Sequence, residues 1–98
     1  MKYFIVEGNI IDAEKMTDGI MKEHMAYTGK AMEEGMYLMS GLKADMSGGI
    51  FIIKSESLES LENYLSKEPF KMNGIQDYRI LEFNSHYFNP SADEWFSN

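Results

Sequence analysis

The 98-residue sequence is 44% hydrophobic, enough for the core of one folded domain, and its nine basic and sixteen acidic residues give a formal net charge of −7. Such an acidic chain, with its lysines scattered singly, offers no surface to a nucleic-acid backbone and is repelled by an anionic membrane, so neither partner is expected. The absence of cysteine excludes disulfides, thiol catalysis and thiolate zinc sites, and it fits a cytoplasmic location.

The first predicted element is a strand over residues 3–6. This run is apolar, with aromatic and β-branched side chains, and Gly8 and Asn9 are interpreted as the turn that ends it. Glu7 also interrupts the apolar run, which is too short for a signal peptide or a membrane span.

Residues 12–34 are predicted to form a helix whose periodic part begins at Asp18, with Gly35 as its left-handed stop. Apolar residues recur every three to four positions, which is typical of a helix with one face turned inward. That face consists of Ile20, Met21, His24, Met25, Tyr27, Thr28, Ala31 and Met32.

Two further strands are predicted at residues 36–40 and 49–53, joined by a hairpin loop over 41–48. Ser57 is a good N-cap for a second amphipathic helix that ends at about Lys67. A last strand follows over residues 75–83.

The element order is therefore βαββαβ, the ferredoxin-like α+β pattern, in which two helices cover one face of a four-stranded antiparallel sheet. The first three strands are apolar at nearly every position, so the uncovered face would expose a patch too large for a soluble monomer. We therefore expect a homodimer with its sheets packed face to face, the arrangement called a dimeric α+β barrel.

The chain is divided into a domain at residues 1–83 and a C-terminal tail at 84–98. The tail contains four aromatic residues, Tyr87, Phe88, Trp95 and Phe96, which would be costly to leave in water. We expect it to dock on the dimer partner and to bury at least half of Trp95.

Two histidines are the side chains that titrate near neutral pH. His24 lies on the inward helix face and is a candidate catalytic residue. The alternative is a structural histidine in the core that makes one hydrogen bond. His86 lies in the tail and is expected to be solvated. No pair of ligands has a spacing that favours a metal, and the nine methionines are expected to fill an irregular core.

Several stretches, in this order, resemble the YciI-like (YCII-related) family. In the family they read roughly His-Leu-x-Tyr, Glu-x-Gly, Ala-Gly-Pro, a glycine-rich hairpin and Asp-Pro-Phe-x-x-x-Gly. The similarity covers about residues 1–83 and implies the same dimeric barrel. The matching stretches are His24-Met25-Ala26-Tyr27, Met32-Glu33-Glu34-Gly35 with Ser40-Gly41, Gly48-Gly49-Ile50-Phe51-Ile52-Ile53, and Glu68-Pro69-Phe70-Lys71-Met72-Asn73-Gly74.

The resemblance implies an active site built on a His-Asp pair, with chemistry like that of muconolactone isomerases or dehydrochlorinating enzymes. At the corresponding positions of this sequence, the histidine is His24 and the aspartate is replaced by Glu68, whose side chain is one methylene longer. Because Glu is a poor helix N-cap, this substitution favours chemistry, or the loss of both roles, over a structural role. Met21 stands where many relatives carry Arg, which removes an anion-binding contribution.

Four further residues form the predicted substrate-binding set. Tyr27 and Ser40 are candidate hydroxyl donors to a substrate oxygen, and Gly41 and Phe70 lie in the stretches that resemble the family.

Two functions stay open on the sequence. The first is an enzyme, with neither metal nor organic cofactor, that moves a proton on a small cyclic organic molecule by isomerisation or elimination. In it His24 is the general base and Glu68 orients it. The second is a non-catalytic dimer that binds a small metabolite or a partner protein in the same cleft. Contact between His24 and Glu68 beside a cavity would favour the enzyme.

Overall fold

The computed structural model describes residues 1–89 and 91–97. The predicted order βαββαβ is confirmed, with the short helices α3 and α4 added. The strands are β1 Lys2–Ile10, β2 Tyr37–Leu42, β3 Gly49–Ser55 and β4 Gln76–Phe83, and the helices are α1 Asp18–Glu33, α2 Leu58–Ser66, α3 Pro69–Met72 and α4 Ala92–Phe96. Within the described ranges, no helix has both the length and the apolar character needed to cross a membrane.

The four strands form one antiparallel sheet in the order β2-β3-β1-β4. One face of this sheet packs on the helices through a single core. Because α1 and α2 both contribute to that core, they cover the same face, which confirms the ferredoxin-like class. The core consists of Phe4, Val6, Tyr37 and Ile53 from the sheet, Ala31 from α1, and Leu61 and Leu65 from α2.

The opposite face of the sheet is also largely apolar. Side chains alternate along a strand, so Ile5 points away from the buried Phe4. Ile5 lies opposite Ile52 on one neighbouring strand and Leu81 on the other, which places three aliphatic side chains in a row. Face-to-face packing of two such sheets stays a prediction.

Strand β1 does not end at Gly8 and Asn9, as the sequence predicted, but continues to Ile10. Gly8 lies opposite Tyr78 in the ladder with β4. A Cβ atom at Gly8 would come within 2.7 Å of Gln76 Oε1. This glycine therefore makes room for the Gln76 side chain and forms no turn.

The helix predicted over residues 12–34 is divided in two. A short 3-10 helix, Ala13–Lys15, comes first, and α1 then begins after Thr17. The Thr17 hydroxyl oxygen accepts a hydrogen bond from the Ile20 N–H at 3.2 Å, and such a cap fixes where a helix starts. Gly35 has a φ of 80° and ends α1 as predicted.

The C-terminal tail is exposed within the single chain. Trp95 is 68% exposed, so its predicted burial is not achieved by the chain alone. Its ring packs edge-on against Phe96 of the same helix α4, 4.9 Å away between centroids, and Phe96 is itself exposed, so this contact does not bury it. Docking of the tail on a dimer partner stays a prediction, and Pro90 and Asn98 lie outside the described residues.

Candidate active site

A cavity of about 770 Å³ opens on the helix-covered side of the sheet. Helix α1 contributes His24, α3 contributes Phe70, and β4 begins at its edge with Gln76. Strands β2 and β3 contribute further polar and small lining residues, including Ser40 and Gly41. A cavity of this size is large enough for a small organic molecule.

His24 and Glu68 are in direct contact at this cavity. His24 Nδ1 lies at hydrogen-bond distance from Glu68 Oε1, although the two residues are 44 positions apart in the sequence. His24 is half-buried, whereas Glu68 is 1% exposed. A carboxylate this deeply buried is tolerated in a fold when donors surround it. The structure thus brings together the two residues that the family resemblance paired.

The backbone around Glu68 explains how its carboxylate is aimed. Pro69 is the first residue of α3 and restricts Glu68 to extended backbone, with φ −67° and ψ 131°, the conformation of an N-cap. Glu68 Oε2 accepts the Phe70 N–H at 3.1 Å. The expectation that Glu serves poorly as a cap here is therefore wrong. Its extra methylene lets Oε2 cap α3 while Oε1 reaches His24.

A hydrogen-bonded chain approaches Glu68 from β4. Gln76 Nε2 donates to the Tyr78 hydroxyl at 3.0 Å, and that hydroxyl donates to Glu68 Oε2 at 2.7 Å. Burial raises the pKa of Tyr78, so its phenol keeps the proton that it donates. We call His24, Glu68, Tyr78 and Gln76 the polar wall. His24 and Gln76 line the cavity, and Glu68 and Tyr78 support them from behind through hydrogen bonds.

Sequence reasoning did not select Tyr78 or Gln76 as site residues. Along the last strand Tyr78 and Ile80 alternate with Arg79 and Leu81, and this alternation is the available signal for Tyr78. Gln76 has no such signal, because its position depends on the space that Gly8 leaves on the neighbouring strand.

The hydrogen bond to Glu68 sets the tautomer of neutral His24. An ionised carboxylate can only accept, so Nδ1 carries the hydrogen and donates it. Nε2 then holds the lone pair, and the His24 ring lines the cavity. The arrangement therefore presents a proton acceptor to whatever the cavity binds.

Phe70 fixes the plane of the imidazole ring. The His24 and Phe70 rings are stacked, with centroids 3.8 Å apart and planes 3° from parallel.

Of the four predicted substrate-binding residues, Ser40, Gly41 and Phe70 line the cavity. Tyr27 does not line it. The Tyr27 hydroxyl donates to the Tyr64 carbonyl at 2.7 Å, and its ring stacks on the Tyr64 ring. The structure therefore places Tyr27 in packing between α1 and α2, away from the position predicted for substrate contact.

Two more tyrosines extend this packing into the core. The Tyr37 and Tyr64 hydroxyls share a hydrogen bond of 3.0 Å. Burial raises the pKa of Tyr37 to about 12 and also raises the pKa of Tyr64. These phenols therefore stay neutral well above physiological pH.

The expectation that the methionines fill the core is wrong for most of them, although the partly buried Met36 packs against the core. All nine lie within the described residues, and each is at least partly exposed. Five of them instead line the cavity: Met16, Met21, Met25, Met32 and Met46. The residues of α1 that repeat at helical spacing thus form an edge of the cavity, because this face of α1 extends past the core. We call Met21, Met25, Met32 and Met46 the methionine rim.

The second histidine, His86, is not among the residues that line this cavity. His86 is exposed in the tail, with its ring 4.1 Å from the Tyr87 ring between centroids. Across residues 1–89 and 91–97, no three His, Asp or Glu side chains gather in a way that could hold a metal ion.

Comparisons with known proteins agree with this fold. A family model of the YCII-related domain matches residues 1–84. No curated protein matches the sequence significantly.

Three solved structures share the fold at low sequence identity. 5-Chloro-2-hydroxyhydroquinone dehydrochlorinase from Burkholderia phenoliruptrix AC1100, in complex with 2,5-dihydroxybenzoquinone, is 15% identical, with a TM-score of 0.65 over 86% of this chain and 95% of that chain. Muconolactone isomerase is 14% identical, with a TM-score of 0.74 over 93% and 97%. An antibiotic biosynthesis monooxygenase is 15% identical, with a TM-score of 0.55 over 87% and 99%. At these identities the similarity shows a shared fold, which is also found in enzymes that act on small molecules.

Proposed function

This chain belongs to the YCII-related family, and we propose that it is an enzyme that moves a proton on a small cyclic organic molecule, by isomerisation or by elimination. The observation that carries the proposal is the buried Glu68 carboxylate bound to His24 at the cavity wall. A core histidine needs one ordinary hydrogen bond. Here the partner is a carboxylate fixed by two other donors, and the second ring nitrogen is left for a ligand.

His24 is the proposed general base. Its Nε2 takes a proton from a carbon next to a substrate carbonyl, and the electron pair of that C–H bond moves towards the carbonyl oxygen. The ionised Glu68 stabilises the imidazolium that forms. A positioned base of this kind contributes typically about 10²–10⁴ in rate.

The fate of the proton distinguishes the two reactions. In an isomerisation the imidazolium returns it to another carbon, so the double bond moves and no atom is lost. In an elimination a carbon–chlorine bond breaks, chloride leaves with the electron pair, and His24 later releases the proton to water. The structures named as an isomerase and a dehydrochlorinase share the fold, and their names support these two outcomes.

The remaining roles fall to side chains of the chain itself. Ser40 is proposed to donate its hydroxyl to the substrate oxygen on which charge develops, and Gly41 beside it leaves space for the ring. Because the base, its orienting carboxylate and a hydroxyl donor are all present as side chains, we propose that the reaction needs no cofactor. The cysteine-free composition supports a cytoplasmic location.

The apolar face of the sheet supports a homodimer as the working form. Ile5, Ile52 and Leu81 form a row on the face that α1 and α2 leave uncovered. A second copy packed on this face would remove the row from water, and the aromatic tail is proposed to dock on that copy. Sedimentation at micromolar concentration should give a dimer, and a compact monomer would contradict this part of the proposal.

The test of the activity is proton exchange, followed by NMR in D₂O on a panel of cyclic ketones, lactones and chlorinated hydroquinones. We expect the wild-type protein to accelerate carbon–proton exchange of at least one compound. His24→Gln should slow it by at least about 10²-fold. His86→Gln is the matched control, because His86 lies exposed in the tail. Binding of compounds with no exchange, or exchange that survives His24→Gln, would favour the non-catalytic binding dimer.

A further inference from the structure

The cavity lining is uncharged apart from the titratable His24. Among the residues that the structure describes, no Lys, Arg, Asp or Glu side chain contributes to it. We propose that the substrate is an uncharged, flat, unsaturated ring without a carboxylate, and that the methionine rim selects it. This inference rests on the proposed function, since it takes the ligand of the cavity to be the substrate.

Two of the lysines that adjoin a lining residue in sequence are paired with acids. Lys43, which follows the lining residue Leu42, lies 2.8 Å from Glu7 Oε2. Lys15, which precedes Met16, lies 3.7 Å from Asp12 Oδ2. Because no described lysine or arginine lines the cavity, a ligand carboxylate entering it would lose its water without gaining a cationic partner there. The net charge of −7 opposes its approach as well.

The rim offers contacts of a different kind. Met21, Met25 and Met32 lie on one side of α1, at spacings that place them on the same face. Met25 is 65% exposed in the single chain, although it is apolar. Methionine is polarisable, adapts its shape and makes favourable sulfur contacts with aromatic rings. Phe51 and Phe70 extend the same apolar character into the cavity.

Met46 supplies an independent observation on the other side of the rim. It has a φ of 65°, a left-handed conformation that strains a side chain of this size and that Gly or Asn adopts more easily. Asp45 holds the loop in this shape by accepting the Ser47 N–H at 3.0 Å and the Ser47 hydroxyl at 2.6 Å. A large apolar side chain kept at a strained position on a cavity edge points to contact with a ligand.

The experiment compares neutral and anionic forms of one skeleton. The probes are the methyl esters of benzoic, 2-hydroxybenzoic and 2-naphthoic acid and the three free acids, at pH 7.5 and physiological salt. Binding is followed through the ¹³C-methyl NMR signals of the methionines. We expect an ester to shift the signals of rim methionines and to leave Met1 and Met72, which lie outside the cavity, unchanged. The matching acid should bind at least about tenfold more weakly.

Charge variants separate local from long-range effects. Met21→Arg and, as a second variant at a more exposed position, Met25→Arg should raise the affinity for the acid at least about tenfold. Met72→Arg, with the same change of net charge outside the cavity, should leave it within about twofold.

Equal affinity of acid and ester for the wild type would overturn the inference, and so would failure of every ester to shift a rim signal. An equal gain from Met72→Arg would also overturn it, since the selection would then be long-range. Ester binding at the rim without any His24-dependent proton exchange would instead contradict the proposed function and leave this inference standing.

Discussion

The polar wall and the methionine rim bound the same cavity and are held in place by opposite means. In the polar wall, each group is fixed by a directional hydrogen bond, from Gln76 through Tyr78 and Glu68 to His24. The rim is held by the helix α1 and one loop, and its side chains are exposed and flexible. Directional bonds suit a base that must be aimed, whereas adaptable side chains suit recognition of shape.

This difference predicts where the molecule tolerates substitution. Removal of one partner in a buried network strands the others without hydrogen bonds, so the loss exceeds that of a single bond. Removal of an exposed rim side chain leaves no buried group without its hydrogen-bond partner. Four variants or conditions test this difference between the polar wall and the methionine rim.

Glu68→Ala should lower the free energy of unfolding by about 2–4 kcal/mol, because it leaves the Tyr78 hydroxyl, the Phe70 N–H and His24 Nδ1 without their acceptor. Urea denaturation at fixed protein concentration measures this. Glu62→Ala, at an exposed position of α2, should stay within about 0.5 kcal/mol. Similar losses at the two glutamates would show that the polar wall is not a special network.

High pH should destabilise the tyrosine-rich side of the core. Burial raises the pKa of Tyr37 to about 12, above the ordinary tyrosine value of about 10. The stability contributed by the neutral phenol is therefore complete below about pH 10 and is lost as the pH rises through about 12. In Tyr37→Phe the free energy of unfolding should fall less steeply over this interval. An unchanged slope would argue against burial of Tyr37.

Tyr78→Phe should cost about 1–2 kcal/mol of unfolding free energy, since it removes one donor to Glu68 and the acceptor of the Gln76 amide but leaves the Phe70 N–H in place. Because Tyr78 acts through Glu68, it is a positioning residue. Its loss should lower kcat of the proposed reaction with little change in KM. A loss confined to KM would place the hydroxyl in substrate binding instead.

Met25→Leu should change stability by less than about 0.5 kcal/mol, because Met25 is exposed and both residues favour a helix. Thermal unfolding of the two proteins checks this. A loss above about 1 kcal/mol would mean that the rim is packed as tightly as the polar wall, and the contrast between them would disappear.

Local signals in the sequence predicted most of the fold. The helical repeat from Asp18, the stop at Gly35 and the cap at Ser57 all act within one or two turns of chain, so they can be read without the fold. The break before Thr17 and the continuation of β1 through Gly8 were not predicted. Gly8 resembles a turn residue until its partner across the sheet is known.

The site was predictable in part. The resemblance paired His24 with Glu68, but the bond of Glu68 to Tyr78 depends on how α3 docks beside β4. The methionines were assigned to the core because helical periodicity says which residues share a face and not what that face meets. In this chain the face of α1 extends past the core and meets a cavity.

The tautomer of His24 is a direct test of whether Glu68 orients His24 as a base, because its measurement requires no knowledge of the substrate. A long-range ¹H–¹⁵N NMR spectrum of the wild-type protein at pH 8 distinguishes the two ring nitrogens. We predict that Nδ1 carries the hydrogen and Nε2 is unprotonated, and that Glu68→Ala loses this preference. A wild-type His24 with its hydrogen on Nε2 would contradict the proposed role of His24, since the unprotonated nitrogen would then face Glu68 and not the cavity.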